Sequence, residues 1–286
     1  MTPSLILGAA AAVFLILLAA ERLFPLRERR RAFFPRLAVN LFLSAFAFFV
    51  ASKLVTPAAV ATAGWAATKP FGLLAFFPLP PLAQPVLGFL LMDLSFYYWH
   101  LANHRVRFLW RFHNVHHIDP DLDISTALRF HFCEILFSTA FRIVQVAAIG
   151  VSAWTYFVYE AAFQANTLFH HSNVRLPIGL ERLLNRVLVT PRMHGIHHSA
   201  VENETNSDYS AVLSWWDRLH GTLRLNVPQS HITVGVPAYL DPADNTIWNC
   251  LALPFRKQRD YWRLPDGTTP ARNPSQIEPQ PTRLAE

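Results

Sequence analysis

The chain alternates between long apolar runs and shorter charged or histidine-bearing stretches. Residues 5–20, LILGAAAAVFLILLAA, carry no charge. The run is slightly short for a membrane span, though its flanks can extend it. A signal peptide is the rival reading. Basic residues follow the run instead of preceding it, which favours a membrane anchor. A second apolar run covers about 37–51. A third, about 83–99, ends in Phe96, Tyr97, Tyr98 and Trp99, as an interfacial belt does. Between them, 52–82 holds several prolines and alanines and is expected to be a loop on the far side of the membrane, with a re-entrant turn. The stretch from about 132 to 169 is too long for one span. It predicts a helical hairpin, 135–150 and 152–169, turning at Gly150 and Ser152. From 172 onward the chain is mixed and polar, and 264–286 predicts a frayed, proline-rich tail.

The expected fold is therefore all-α, with about four membrane helices and a cytoplasmic helical cap. Three regions follow: N-terminal membrane helices and linker over 1–82, a central membrane and cap domain over 83–225, and a C-terminal extension over 226–286. Composition agrees. Of 286 residues, 52% are apolar and only 15% charged, against roughly 25% in an average soluble domain. Disordered chains, coiled coils and collagen-like fibres are excluded. Lys+Arg is 25 and Asp+Glu 19, a formal net charge of +6. The arginines at 22, 27, 29, 30, 31 and 36 sit beside apolar segments, which points to a membrane surface and not to nucleic acid. By the positive-inside rule this loop is cytoplasmic. Cys133 and Cys250 are the only cysteines, and no disulfide is expected. The Arg- and Ala-rich, Lys-poor composition suggests a bacterial inner membrane.

Histidine, at 13 residues, changes the picture most. His100-Leu-Ala-Asn-His104 places two imidazoles one helical turn apart on one face. His113-Asn-Val-His116-His117 and His194-Gly-Ile-His197-His198 repeat a pattern of HxxHH, and His170-His171 lies between them. The predicted topology returns the chain to the cytoplasm near 99 and near 170, so every cluster falls on one face of the membrane. A lone histidine is usually a core or surface residue. A repeated HxxHH beside an HxxxH is not a packing pattern, because imidazoles next to hydrocarbon are costly without partners. Eight imidazoles, or nine or ten with the 170–171 pair, supply four or five per metal in a two-metal site. No HExxH is present, so a zincin-type general base is lacking. Ligand type alone leaves iron, zinc and copper open.

These motifs, with LMDLSFYYWHLANH, LWRFHNVHH, ALRFHFCEI, FHHSNVRLP, VTPRMHGIHHS and SWWDRLHGT in order, resemble the fatty acid hydroxylase superfamily, which includes sterol desaturases and alkylglycerol monooxygenase. The resemblance covers about 90–225. It implies a membrane-embedded di-iron centre that uses O2 and electrons from a separate reductase or electron carrier to hydroxylate or desaturate a lipid C–H bond. Carried over residue by residue, it implies His100, His104, His113, His116, His117, His171, His194, His197 and His198 as metal ligands, with His170 a further candidate. Leu101 stands where the family commonly has a basic residue, and His220 where it has an aromatic one.

Four more residues are candidates for supporting the ligands. Asp93 lies seven residues before His100, about 10 Å back on the same helix face. It either orients an imidazole or pairs with Arg142, and Glu160 allows the same two readings. His131 and Glu134 read as structural or ligand-supporting residues, with a metal contact by His131 as the alternative. Asn173 is expected to tie the third cluster to a neighbouring loop. Two rival functions remain: a metal transporter, which needs ligands along a path across the membrane, and a lipid-binding scaffold with structural zinc.

Overall fold

The structure, a computed structural model, describes residues 3–68, 71–77 and 80–273. Among these residues the fold is all-helical, with only isolated β-bridges between loops. Five long helices form one end of the molecule: α1 (Pro3–Leu23), α2 (Phe33–Val50) with its continuation α3 (Thr56–Ala67), then α4 (Ala83–Arg105). After the short α5 (Arg107–His117) come α6 (Phe132–Ile149) and α7 (Ala153–His171). The other end is a cap of short helices: α8 (Ile178–Asn185), α9 (Pro191–His197), α10 (Glu202–Thr205), α11 (Trp215–His220) and α12 (Ile247–Ala252).

The predicted loop over 52–82 is helical as far as Ala67. A single π turn, Ala51–Val55, joins α2 to α3 without a break. Pro57 comes just after the π turn, where the regular i→i−4 hydrogen bonding is already interrupted, so the helix continues past it. The alanines that follow favour helix strongly. The later prolines come after the helix has ended.

The hairpin turns where the sequence placed it. Gly150 closes α6 in the left-handed region, at φ 78°, and the Ser152 hydroxyl accepts from Thr155 N to start α7. Glycine is required at this turn. A Cβ on Gly150 would meet Phe71 O at 2.8 Å, and one on Gly72 would meet Gly150 Cα at 2.5 Å.

Among the described residues, two helical stretches are long and apolar enough to cross a membrane, Phe33–Ala66 and Phe132–Ile149. Only 17% and 28% of their apolar windows are buried. Phe42, Phe46, Phe48 and Phe49 on α2, and Val144 on α6, face outward. A soluble protein rarely exposes an apolar patch of that extent.

Part of the arginine-rich segment is interior instead of lying on the surface. Arg36 is buried and bonds Asp119 Oδ2 at 2.8 Å, and also reaches Asp123. Asn40 donates to Asp119 and Ser125, while Arg30 N and Arg31 N donate to Asp121. Arg27 is buried and donates to Gln229 Oε1 and Pro191 O. Burial lowers its pKa to about 10, still well above neutrality. These bonds fasten α2 and the segment before it to the loop between α5 and α6 and, through Arg27, to the cap. The C-terminal extension is docked as far as it is described: Arg272 bonds both carboxylate oxygens of the buried Glu204. The rest of the predicted tail, 274–286, lies outside the described residues.

Candidate metal centre

Four helices bring the histidines to one place. Residue Val106, in extended conformation, separates α4 from α5. The chain turns there, and the HxxxH face of α4 meets the HxxHH face of α5. At the end of α7, His170 and His171 reach the same point, and α9 delivers the last triplet. Nine imidazoles form two sets. His100, His104, His113, His117 and His197 have ligand nitrogens within 4.8 Å of one another, and so do His116, His171, His194 and His198. The sets touch: the His117 and His198 rings stack with centroids 4.4 Å apart. His170, the tenth predicted residue, falls in neither set. Its ring packs 4.1 Å from that of His194, and its Nδ1 faces Asn166.

The outward nitrogens are held by fixed acceptors. Nδ1 of His100 lies 2.8 Å from Tyr209 O, and that of His197 2.7 Å from Ser207 O. His116 Nδ1 reaches Arg129 O, and His171 Nδ1 reaches Thr167 O. His113 Nδ1 lies 2.8 Å from Glu134 Oε1. Each acceptor requires the proton on Nδ1, which leaves the Nε2 lone pair pointing inward.

Inward, the nitrogens face one another. Nε2 pairs of His116–His171, His171–His194 and His194–His198 lie 3.0, 3.0 and 3.1 Å apart, and His113–His117 3.2 Å. Two neutral imidazoles with lone pairs opposed gain nothing from this closeness. Two ligands at right angles around one metal, each about 2.1 Å from it, stand about 3 Å apart. Both ring nitrogens of His104 and Nε2 of His197 are buried without any hydrogen-bond partner. Such orphaned donors and acceptors are rare without a missing ligand. The residues therefore fit two metal ions with imidazole-rich coordination.

Burial lowers the pKa of His116, His117, His194 and His198 far below 6.5, and neighbouring imidazoles lower it further. His197 is pushed down to about 3. All five are neutral at neutral pH, the state that a metal ligand needs.

The supporting candidates divide. Glu134 lies against His113. Alanine at 134 removes the acceptor for the His113 Nδ1 proton, so metal affinity falls about 10- to 100-fold. Glu134→Gln keeps an acceptor and loses less. Competition with a chelator of known affinity measures both. Asn173 ties the end of α7 to the segment before α2: its Oδ1 accepts from Arg27 N and its Nδ2 donates to Arg27 O. His131 touches neither set. It caps α6, accepting from Cys133 N, and its Nε2 faces Leu251 O.

Asp93 bonds no imidazole, and Arg142 pairs with Glu160 instead, at 3.3 Å. Asp93 Oδ2 accepts from Leu213 N and Trp216 Nε1. It holds the 209–216 loop against α4, and that loop presents the Tyr209 carbonyl to His100. Asp217 fixes the same loop by accepting from Tyr209 N and Ser210 N.

A cavity of about 260 Å³ leads away from the histidines. Its walls come from α2, α4, α6 and α7. They are mainly apolar, with Ala47, Phe96, Phe130, Ile135 and Phe163 among them; His100, His113, His116, His171 and His194 line its inner end.

Fold and site together define an all-helical protein with a buried polyhistidine metal centre at the end of an apolar cavity. Residues 85–222 match the family model for fatty acid hydroxylase. It is 32% identical over 157 residues to ornithine lipid hydroxylase OlsE of Rhizobium tropici, covering 55% of this chain and 46% of that protein. It is 33% identical over 139 residues to alkylglycerol monooxygenase of Homo sapiens (47% and 29%) and 28% identical over 146 residues to cholesterol 25-hydroxylase of Mus musculus (50% and 47%). The matched stretch spans less than half the length of each of these relatives. No solved structure matches the chain.

Proposed function

We propose that the chain is an integral membrane oxidoreductase that uses O2 to hydroxylate a C–H bond of a lipid at a di-iron centre. The observation that carries this reading is the two abutting sets of inward-facing imidazoles at the end of an apolar cavity. One iron is assigned to His100, His104, His113, His117 and His197, the other to His116, His171, His194 and His198. Bound iron would supply the oxygen chemistry. The protein holds nine lone pairs in place, excludes water and guides an apolar chain to them. The matched relatives named hydroxylase and monooxygenase support hydroxylation over desaturation. Electrons are assigned to a separate carrier.

The helices suit a bilayer. Lys53 follows Phe33 by 20 residues, about 30 Å of helix, the thickness of the hydrocarbon core. The exposed Arg29, Arg30 and Arg31 support a cytoplasmic location for the histidine end by the positive-inside rule, and composition supports a bacterial inner membrane. The central region 83–225 is the catalytic unit.

Metal analysis of the chain purified without added metal tests the reading. Two irons per chain are expected. Chelation is expected to stop lipid-dependent O2 uptake, and ferrous iron to restore it. A chain that binds only zinc, or that consumes no O2 with any lipid class, overturns it.

A further inference from the structure

The far end of the cavity is not apolar. Arg142 on α6 and Glu160 and Gln164 on α7 line it, within otherwise apolar helices. Along α7, Glu160 precedes His171 by 11 residues, and along α6, Arg142 follows Glu134 by 8. At 1.5 Å per residue the charged end lies about 12–16 Å from the metal centre. The cavity lining on α2 and the π turn after it covers a similar length, from Ser44 to Val55. The cavity is therefore elongated along the helices, with histidines at one end and a charged pair at the other. Phe48 and Gln164 line it and are also exposed, so it opens sideways between the helices.

A salt bridge in such a place does little for stability, because two apolar residues would pack at least as well. An ionisable residue inside an apolar helix marks a functional position by default. The group is also incompletely satisfied. Arg142 Nη1 donates to Gln145 Oε1 at 2.6 Å, and its Nη2 sits 3.3 Å from Glu160 Oε2. Gln164 donates to Glu160 Oε1 at 2.8 Å. Glu160 Oε2 is buried and makes no hydrogen bond. The pair offers both donors and an acceptor, with charges that cancel.

We propose that Arg142, Glu160 and Gln164 form the specificity site of this cavity, binding a neutral hydroxyl or amide group of an elongated lipid. The proposal rests on the functional reading above for the fate of the bound lipid, but not for its binding. Holding that polar group places a carbon 12–16 Å along the chain at the histidines, and this fixes which position reacts. A hydroxyl or amide both donates and accepts, as the pair demands. A carboxylate would meet Glu160, and an alkane would leave the pair unsolvated.

Equilibrium binding tests this without metal, O2 or electrons. The chain is placed in phosphatidylcholine nanodiscs and titrated with tritiated lauryl alcohol, corrected for empty discs. Lauramide, laurate and dodecane serve as competitors. Lauramide is expected to compete as well as the alcohol. Laurate and dodecane should be weaker by about tenfold, the equivalent of one hydrogen bond to a charged group. The double variant Arg142→Leu/Glu160→Leu loses that preference while keeping its affinity for dodecane and its metal content. Glu160→Gln, which leaves the Arg142 charge uncompensated, shifts the preference to laurate by about tenfold; this variant stands if the double variant fails to fold. Equal binding of dodecane and alcohol by the natural chain overturns the proposal. So does tight laurate binding, or a preference that survives in both variants. Failure of O2 uptake with selective binding intact would refute the oxidase reading alone.

Discussion

Replacing His171 or His104 with alanine is expected to lower the iron content from two per chain to one or less and to reduce lipid oxidation at least a hundredfold. The two residues sample different sets, His171 the group of four and His104 the group of five. Loss of an outer hydrogen bond to a ligand already costs about 10- to 100-fold in metal affinity or activity. Loss of the ligand itself costs more. Substitution of either residue leaves no new charge in the interior, since the lost imidazole is uncharged. The fold is therefore expected to survive, and metal analysis on the monodisperse variant reads the site directly. His131→Ala is the control, because its ring touches neither set. If His131→Ala strips iron and His171→Ala does not, the ligand assignment is wrong.

The second large effect is on folding. Arg36→Ala removes the nearest cation from a buried group of Asp119, Asp121 and Asp123, leaving Arg129 3.9 Å from Asp119 and Arg22 4.0 Å from Asp123 as more distant partial compensation. Arg36 is 6% exposed and Asp119 fully buried. Breaking a buried ion pair from one side costs up to about 3–5 kcal/mol where the remaining charge is left without compensation, and the more distant Arg129 and Arg22 reduce that cost here. Whole-protein stability is only about 5–15 kcal/mol. The variant is expected to aggregate, or to unfold at a lower temperature than the natural chain in a thermal melt. Asp123→Asn, made in the same background, lowers the residual negative charge and should recover part of the loss. A fully stable Arg36→Ala chain would mean that the fold does not depend on this clamp.

Much of the site was legible because imidazole is scarce and its helical spacing is informative. HxxxH and HxxHH place rings on one face by geometry alone, and the span pattern placed all the clusters at one end. The hairpin at Gly150 was legible for a similar reason, a lone glycine between two apolar runs. The outer acceptors were not. Tyr209, Ser207, Arg129 and Thr167 hold imidazoles through their backbone carbonyls, and no side chain advertises a carbonyl. The arginine-rich segment was misread in part, because a surface loop and a buried clamp have the same composition. What distinguishes them is the Asp119-Pro-Asp-Leu-Asp123 stretch, about 85 residues away in sequence and visible as a partner only once the chain is folded. The helix over 52–67 was missed because 52–82 was read whole as a loop from its prolines, whereas all of these but Pro57 fall after residue 67.

The two histidine sets share their scaffolding. Helix α5 gives His113 and His117 to one set and His116 to the other, and the α9 segment gives His197 to one and His194 and His198 to the other. Filling either set therefore immobilises helices that the other also uses, and the ordering entropy is lost once for both. If both sets hold metal as proposed, uptake is expected to be positively cooperative, with half-filled chains scarce at equilibrium and both ions lost together to a chelator.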